Sequence, residues 1–139
     1  MKAEIHALEV KTRGGGEIQD LTPNVREILG RSGLREGLVT VFVPGSTAAV
    51  TTTEYEPGLC EDLPAFFEKL APSREAYAHN ATWGDGNGHA HVRASLLGPS
   101  LSVPVTGGEL ALGTWQQIVL LDFDNRPRRR RVLVQALGE

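Results

Sequence analysis

The 139-residue chain has a single cysteine, Cys60, so no intramolecular disulfide can form and no multi-cysteine zinc site can be built. A reducing, cytoplasmic setting is expected. No run approaches the roughly 20 apolar residues that span a bilayer, and the stretch MKAEIHALEVKT lacks the apolar core of a signal peptide. No membrane partner is expected. Excess positive charge is lacking as well: 14 Lys and Arg stand against 17 Asp and Glu, a formal net charge of -3, which offers no broad pull toward nucleic acid or anionic lipid. The arginine run at 128–131 has no aromatic platform beside it. Strand alternation would divide these arginines between two sheet faces, in a solvated or intersubunit role rather than on nucleic acid. Repeats and low-complexity linkers are absent, and the 40% hydrophobic content suits one folded domain over residues 1–139. Any function must come from a local arrangement of groups.

AEIHALEVKT reads as a first strand, with GGG at 14–16 turning the chain into GEIQDL as an opening hairpin. A helix follows, with Thr22 as cap, Pro23 at its first position, Val25, Ile28 and Leu29 on one face, and Ser32-Gly33 as its end. LVTVFVPG and TAAVTTTEY read as strands. LCEDLPAFFEKLA, 59–71, predicts a second helix capped by Asp62, with Phe66, Phe67 and Leu70 turned inward, then a loop through His79. SLSVPV and ELALGTW, joined by TGG, and WQQIVLLDF and RRVLVQALG, separated by DNRP, supply the last strands. Hairpin-like pairs without helical crossovers predict an α+β domain with a mostly antiparallel sheet and two or three short helices.

The stretch DGNGHAHVR, 85–93, concentrates the chemistry. Extended, it would place Asp85, Asn87, His89, His91 and Arg93 on one face. As a helix capped by Asn87 and ended near Leu97 by a left-handed Gly98, it would put His89 and Arg93 one turn apart, with His91 pointing elsewhere near Ser95. The apolar stripe of ASLLG favours the helix. His89, His91 and Asp85 have the ligand types of a divalent metal site, with zinc or magnesium as the candidate ion. Alternatively, His89 would act as general acid or base oriented by Asp85, with Arg93 on an anion. The plainest alternative is a capped helix whose polar first turn is solvated.

Gly45-Ser46-Thr47 follows a buried strand and can form an anion-binding turn, and Glu54 at the end of the next strand can bind metal or take a proton. A serine hydrolase gains little support, because the second glycine of a nucleophile elbow is missing. Gln116 begins an apolar strand and can point into a pocket, while Trp115 beside it reads as core. His79 ranks above His6, since it lies just upstream of the 85–93 motif.

VPGSTAAVTTTEYEPG, TWGDGNGHAHVRASLLGPSLSVPV and LALGTWQQIVLLDFD together resemble the YjbQ-like family, also called the secondary thiamine-phosphate synthase family. The resemblance covers nearly the whole chain. It implies an α+β domain around an antiparallel β-sandwich, a homotrimer with sites near subunit boundaries, and a weak synthase activity joining a pyrimidine pyrophosphate to a thiazole phosphate with loss of pyrophosphate. It carries a polar pocket onto Ser46, Thr47, Glu54, Asp85, Asn87, His89, His91, Arg93 and Ser95, with Gln116 at its margin. Many relatives have histidine where this chain has Gly45 or Ser46, so a wholly histidine-based metal site is not expected. No aspartate-rich magnesium motif is present, so strong synthase activity is not expected either. The leading expectation is an enzyme acting on a phosphorylated small molecule, with His89, Asp85 and Glu54 catalytic. A non-catalytic metal- or anion-binding trimer and a metal-dependent hydrolase using His89, His91 and Glu54 stand beside it.

Overall fold

A computed structural model describes all 139 residues. In chain order the elements are β1 (Lys2–Thr12), β2 (Glu17–Asp20), α1 (Thr22–Ser32), β3 (Gly37–Phe42), β4 (Ala48–Thr53), α2 (Pro57–Leu70), α3 (Ala78–Trp83), α4 (Gly88–Leu97), β5 (Ser100–Thr106), β6 (Glu109–Leu110), β7 (Gln117–Asp122) and β8 (Arg128–Gly138). The strands form two sheets, ordered β1-β8-β3-β5-β6 and β2-β7-β4, and every pairing is antiparallel. None of the helices is long and apolar enough to cross a membrane.

The strand β7 explains the layering. Its residues Ile118 to Asp122 are all buried, because the three-stranded sheet is covered on both faces. Ile118 and Leu120 join Val39, Val41, Val132 and Val134 of the larger sheet in one core, together with Val25, Ile28 and Leu29 of α1. Val119 and Leu121 face the other way, where Phe67 of α2, Ala90 and Ala94 of α4 and Phe123 form a second core. Phe67 and Phe123 meet edge to face, with centroids 5.1 Å apart. The expected antiparallel α+β sandwich is thus the fold, with four helices rather than two or three.

The expected opening hairpin does not form. β1 pairs with β8 and β2 with β7, so the glycines between them pass the chain from one sheet to the other. Gly14, Gly15 and Gly16 have φ of 78°, 68° and 90°, a left-handed run that only glycine adopts readily, and Gly15 and Gly16 donate their N–H groups to the carbonyls of Asp124 and Asp122. The last two strands also part company, β7 joining the small sheet and β8 the large one. β5 and β6 do form a hairpin, although ELALGTW contributes only Glu109–Leu110 as strand.

Among the helices, α1 keeps its expected face and its end at Gly33, but the Thr22 hydroxyl accepts from Ile118 N instead of capping the helix. α2 starts earlier than expected, because Glu56 accepts from the N–H groups of Gly58 and Leu59 and so caps it in place of Asp62. Only Phe67 of its apolar trio is buried, while Phe66 and Leu70 are exposed, since α2 touches the small sheet along a narrow stripe. α3 replaces the expected loop, and none of its residues is buried.

Gly14 tests the sheet switch. A Cβ there would lie 2.3 Å from the Asp124 carbonyl oxygen, whereas one on Gly15 would meet nothing within 4 Å. Gly14→Ala is expected to cost about 3 kcal/mol and Gly15→Ala about 1 kcal/mol, from clash plus strain against strain alone. Urea denaturation midpoints measure the difference, and equal losses would count against this role for the turn.

Candidate functional site

Two helices and one loop bring the polar residues together. Gly88 packs so closely on α3 that a Cβ would lie 2.4 Å from Tyr77 Cβ, and its N–H donates to Asn80 Oδ1 at 2.9 Å. The first turn of α4 is therefore capped by a side chain of α3. Asn87 is turned away from its own helix: its Oδ1 accepts from Asn125 N at 3.0 Å and its Nδ2 donates to Asp124 Oδ1 at 3.3 Å. Asn125 Nδ2 donates to the Asp85 carbonyl at 2.7 Å, and Asp85 Oδ1 accepts from Asn87 N at 3.2 Å. The loop after β7 thereby holds both the 85–87 turn and the start of α4.

Within this frame His79, Asp85 and His91 converge, each offering a ligand atom within 4.8 Å of the others. His79 Nδ1 lies 3.4 Å from Asp85 Oδ1, and the two imidazole rings have centroids 4.3 Å apart. His79 Nδ1 is buried without a hydrogen-bond partner. Buried polar atoms left unpaired are uncommon, and two imidazoles with one carboxylate make a zinc-type ligand set with room for a further ligand.

His91 also lines a cleft of about 250 Å³ with Gly45, Ser46, Ala48, Ala94 and Ser95. Behind it lies a buried ionic network. Arg130 donates from Nε and Nη2 to the two carboxylate oxygens of Asp122, at 2.7 and 2.9 Å, and from Nη2 to Thr47 Oγ1 at 2.7 Å. Thr47 Oγ1 donates in turn to Asp124 Oδ2 at 2.9 Å, which also accepts from Arg128. Burial alone would raise the pKa of Asp124, but hydrogen bonds from Thr47, Arg128 and Asn87, with the charge of Arg128, bring it below the usual carboxylate value. Hydrogen bonding to Asp122 pushes Arg130 upward.

A family model described as "UPF0047 protein YjbQ-like" matches residues 6–139. The chain belongs to the UPF0047, YjbQ-like family. A UPF0047 protein of Archaeoglobus fulgidus is 47% identical over 130 residues, covering 94% of this chain and 98% of that one. A UPF0047 protein of Methanothermobacter thermautotrophicus is 38% identical over 139 residues, covering 100% and 95%. Among solved structures, a hypothetical protein from Aeropyrum pernix superposes with a TM-score of 0.92 at 40% identity, covering 98% of this chain and 99% of that one. A YbjQ-like protein from Sulfolobus solfataricus gives 0.90 at 33% identity, covering 99% and 100%.

Against this YjbQ-like fold, the residues expected to share one recess divide. Ser46, His91 and Ser95 do line one cleft, although the Ser95 hydroxyl is engaged by the His91 carbonyl at 2.7 Å. Asp85 joins His91 in the cluster, but His89 does not, because residues two apart on a helix point about 200° apart. His89 is 5% exposed. Burial, and then the charge of Arg93, lower its pKa, and its Nδ1 has no partner. His79, expected in a loop of lesser rank, stands where His89 was expected, beside Asp85 and His91.

Arg93 does not meet the cleft. It donates to Glu68 Oε2 at 2.7 Å and twice to the Ala71 carbonyl, at 3.0 and 2.8 Å, which clamps the end of α2 onto α4. Glu68 is held at about 2 by hydrogen bonds from Ser73 N and from Arg93. Glu54 is exposed beyond the far end of β4, roughly 20 Å of strand from Thr47, too far to serve this cluster as a base. Gln116 donates to Thr52 Oγ1 at 3.0 Å and lines a separate cavity with Thr51, Ser102 and Leu112. Trp115 is exposed rather than core. The arginine run expected to be solvated or intersubunit instead turns Arg128 onto Asp124 and Arg130 onto Asp122, and Arg130 is buried. Asp122, Asp124 and Asn125 carried no expectation; two aspartates at alternate positions after an apolar run, followed by arginines at alternate positions, are the signal that marks the first two.

Asp124 sets a pH dependence. Because its folded pKa is lowered, its stabilisation is complete above the unfolded value, about pH 4, and is lost as pH falls through the lower folded value. Asp124→Asn is expected to be less stable than the wild type near neutrality and to approach it as the pH drops below about 4. Urea titrations across that range measure the gap, and a gap that stays constant with pH would refute the assignment.

Proposed function

We propose that this YjbQ-like chain is a metal-dependent enzyme acting on a phosphorylated small molecule. His79, Asp85 and His91 hold a divalent ion, and the cleft beside His91 holds the substrate. The convergence of these three ligand atoms within 4.8 Å carries the reading, and the unpaired, buried Nδ1 of His79 supports it. Their chemistry favours zinc over magnesium, which prefers oxygen ligands and keeps its waters. A bound ion would supply Lewis acidity toward a phosphoryl oxygen.

The side chains do the positioning. Asn87 and Asn125 hold the 85–87 turn, so Asp85 meets His91 in one geometry, while Ser46 faces His91 across the cleft. The reaction class is transfer of the thiamine-phosphate synthase type, in which a pyrimidine-bearing group leaves its pyrophosphate and joins a thiazole phosphate. Such chemistry depends on orienting two anionic substrates rather than on a protein nucleophile.

Cobalt binding to metal-stripped protein, followed by visible absorption, tests the site. His79→Ala, His91→Ala and Asp85→Asn are each expected to weaken binding about tenfold or more, since each removes one ligand. Wild-type affinity no better than that of His79→Ala would end the metal reading. A synthase assay on the loaded protein then separates an enzyme, which turns over, from a protein that only binds.

Homotrimeric assembly belongs to the same proposal. The outer face of the five-stranded sheet leaves Ile5, Leu38, Phe42 and Leu137 exposed, with a shallow cavity of about 210 Å³ between Ile5, Phe42 and Leu133. Further copies of the chain would cover this apolar face. Light scattering is expected to give three times the 15.0 kDa chain mass, and Phe42→Glu combined with Ile5→Glu is expected to give single chains. A wild type that runs as a monomer would refute this.

A further inference from the structure

The turn between β3 and β4 carries hydrogen-bonding capacity that the metal cluster does not use. Gly45, Ser46 and Thr47 lie between the two strands, and their backbone N–H groups donate to no group of the protein. Gly45 has φ of 129°, outside the range that other residues adopt readily. Consecutive N–H groups left free at such a bend are available to an anion.

Arg130 lies at the same turn. Phe42 pairs with Leu133 at the end of the β3–β8 ladder, and continuing that register brings Arg130 opposite Gly45. Its Nε and Nη2 are taken by Asp122 and Thr47, but Nη1 makes no hydrogen bond within the protein. That nitrogen sits so near the turn that a Cβ on Gly45 would lie 3.2 Å from it. Asp122 already holds the other edge of the guanidinium, and Asp124 is matched by Arg128, so the nearby carboxylates are paired. Gly45 and Ser46 also line the cleft shared with His91.

We infer that the Gly45–Thr47 turn, together with Arg130 Nη1, forms an oxyanion subsite that takes a phosphate group, free or borne by a small organic molecule. The inference rests on reading the His91 cleft as the substrate site, but it needs no metal. It assigns to Arg130 the anion contact expected of Arg93. It also gives Gly45 a reason, since a side chain there would strain the turn and crowd the guanidinium.

Phosphate binding to isotope-labelled, metal-stripped protein tests it. Titration with inorganic phosphate or phenyl phosphate is expected to shift the amide resonances of Gly45, Ser46 and Thr47 saturably. Tighter binding of phenyl phosphate would mark an organic substrate, and equal or weaker binding would mark free phosphate as the ligand. Gly45→Ala and Arg130→Lys are expected to weaken binding about tenfold and Ser46→Ala about threefold, as loss of charge-assisted or neutral hydrogen bonds implies, with cobalt binding unchanged in all three. Arg130 is buried, so if Arg130→Lys fails to fold, the two exposed-turn variants decide. Resonances at 45–47 that stay in place, or wild-type phosphate affinity in Gly45→Ala, would overturn the inference. Loss of cobalt binding with these shifts intact would remove the metal reading and leave the subsite standing.

Discussion

The pairing of Asp122 and Asp124 with arginines from the next strand is the constraint on which the rest of the structure depends. Both carboxylates are fully shielded from solvent, and leaving a charge in that position unpaired costs several kcal/mol. Each must therefore be met by donors, and the donors come from separate parts of the chain: Thr12 from β1, Thr47 from the β3–β4 turn, Asn87 from the start of α4, and Arg128 and Arg130 from β8. Hydrophobic burial draws the two sheets and their helices together without direction. The charges add direction, because a hydrogen-bonded guanidinium accepts few arrangements of its partners.

That network lies directly beneath the candidate site and touches both of its walls. Thr47 is one of its members and adjoins Ser46, while Asn87 is another and opens the helix that presents His91. The cleft between Ser46 and His91 is thus framed from below by groups that cannot shift independently. The Arg93 clamp adds a second restraint by fixing α2 against α4 and stacking its guanidinium 5.9 Å from the Phe123 ring centroid. Two arginines that look equally available on paper consequently differ in kind: one is spent at the back of the helix, and the other keeps a nitrogen beside an open turn.

What local sequence encodes was legible, and what distant pairing decides was not. The apolar face of α1, the span of α4 from Gly88 to Leu97, the buried runs of β3 and β7 and the family itself could all be read from adjacent residues, although Asn87 does not cap α4 and Gly98, at φ 90° and ψ 163°, is not the left-handed end expected. Strand partners could not, since Lys2 meets Gly138 and Glu17 meets Asp122, and a GGG turn looks the same whether it closes a hairpin or leaves a sheet. AHNATW has no apolar stripe by which α3 could be noticed. Arg93 reads as free in the sequence because its acceptors, Glu68 and Ala71, lie more than twenty positions away. His79 gives no local signal for the same reason: the packing of Gly88 on Tyr77 and its hydrogen bond to Asn80 bring α3 to α4.

α3 buries none of its residues, yet it carries His79, one of the three side chains whose ligand-type atoms converge. A segment this poorly anchored opens easily on its own, whereas the α4 side of the cluster is fastened to the interior. Occupancy by a cation would therefore act as a rivet for a short surface element, so that capture of the ion and ordering of that element would be a single equilibrium, with the intrinsic affinity reduced by the entropy of holding six residues still.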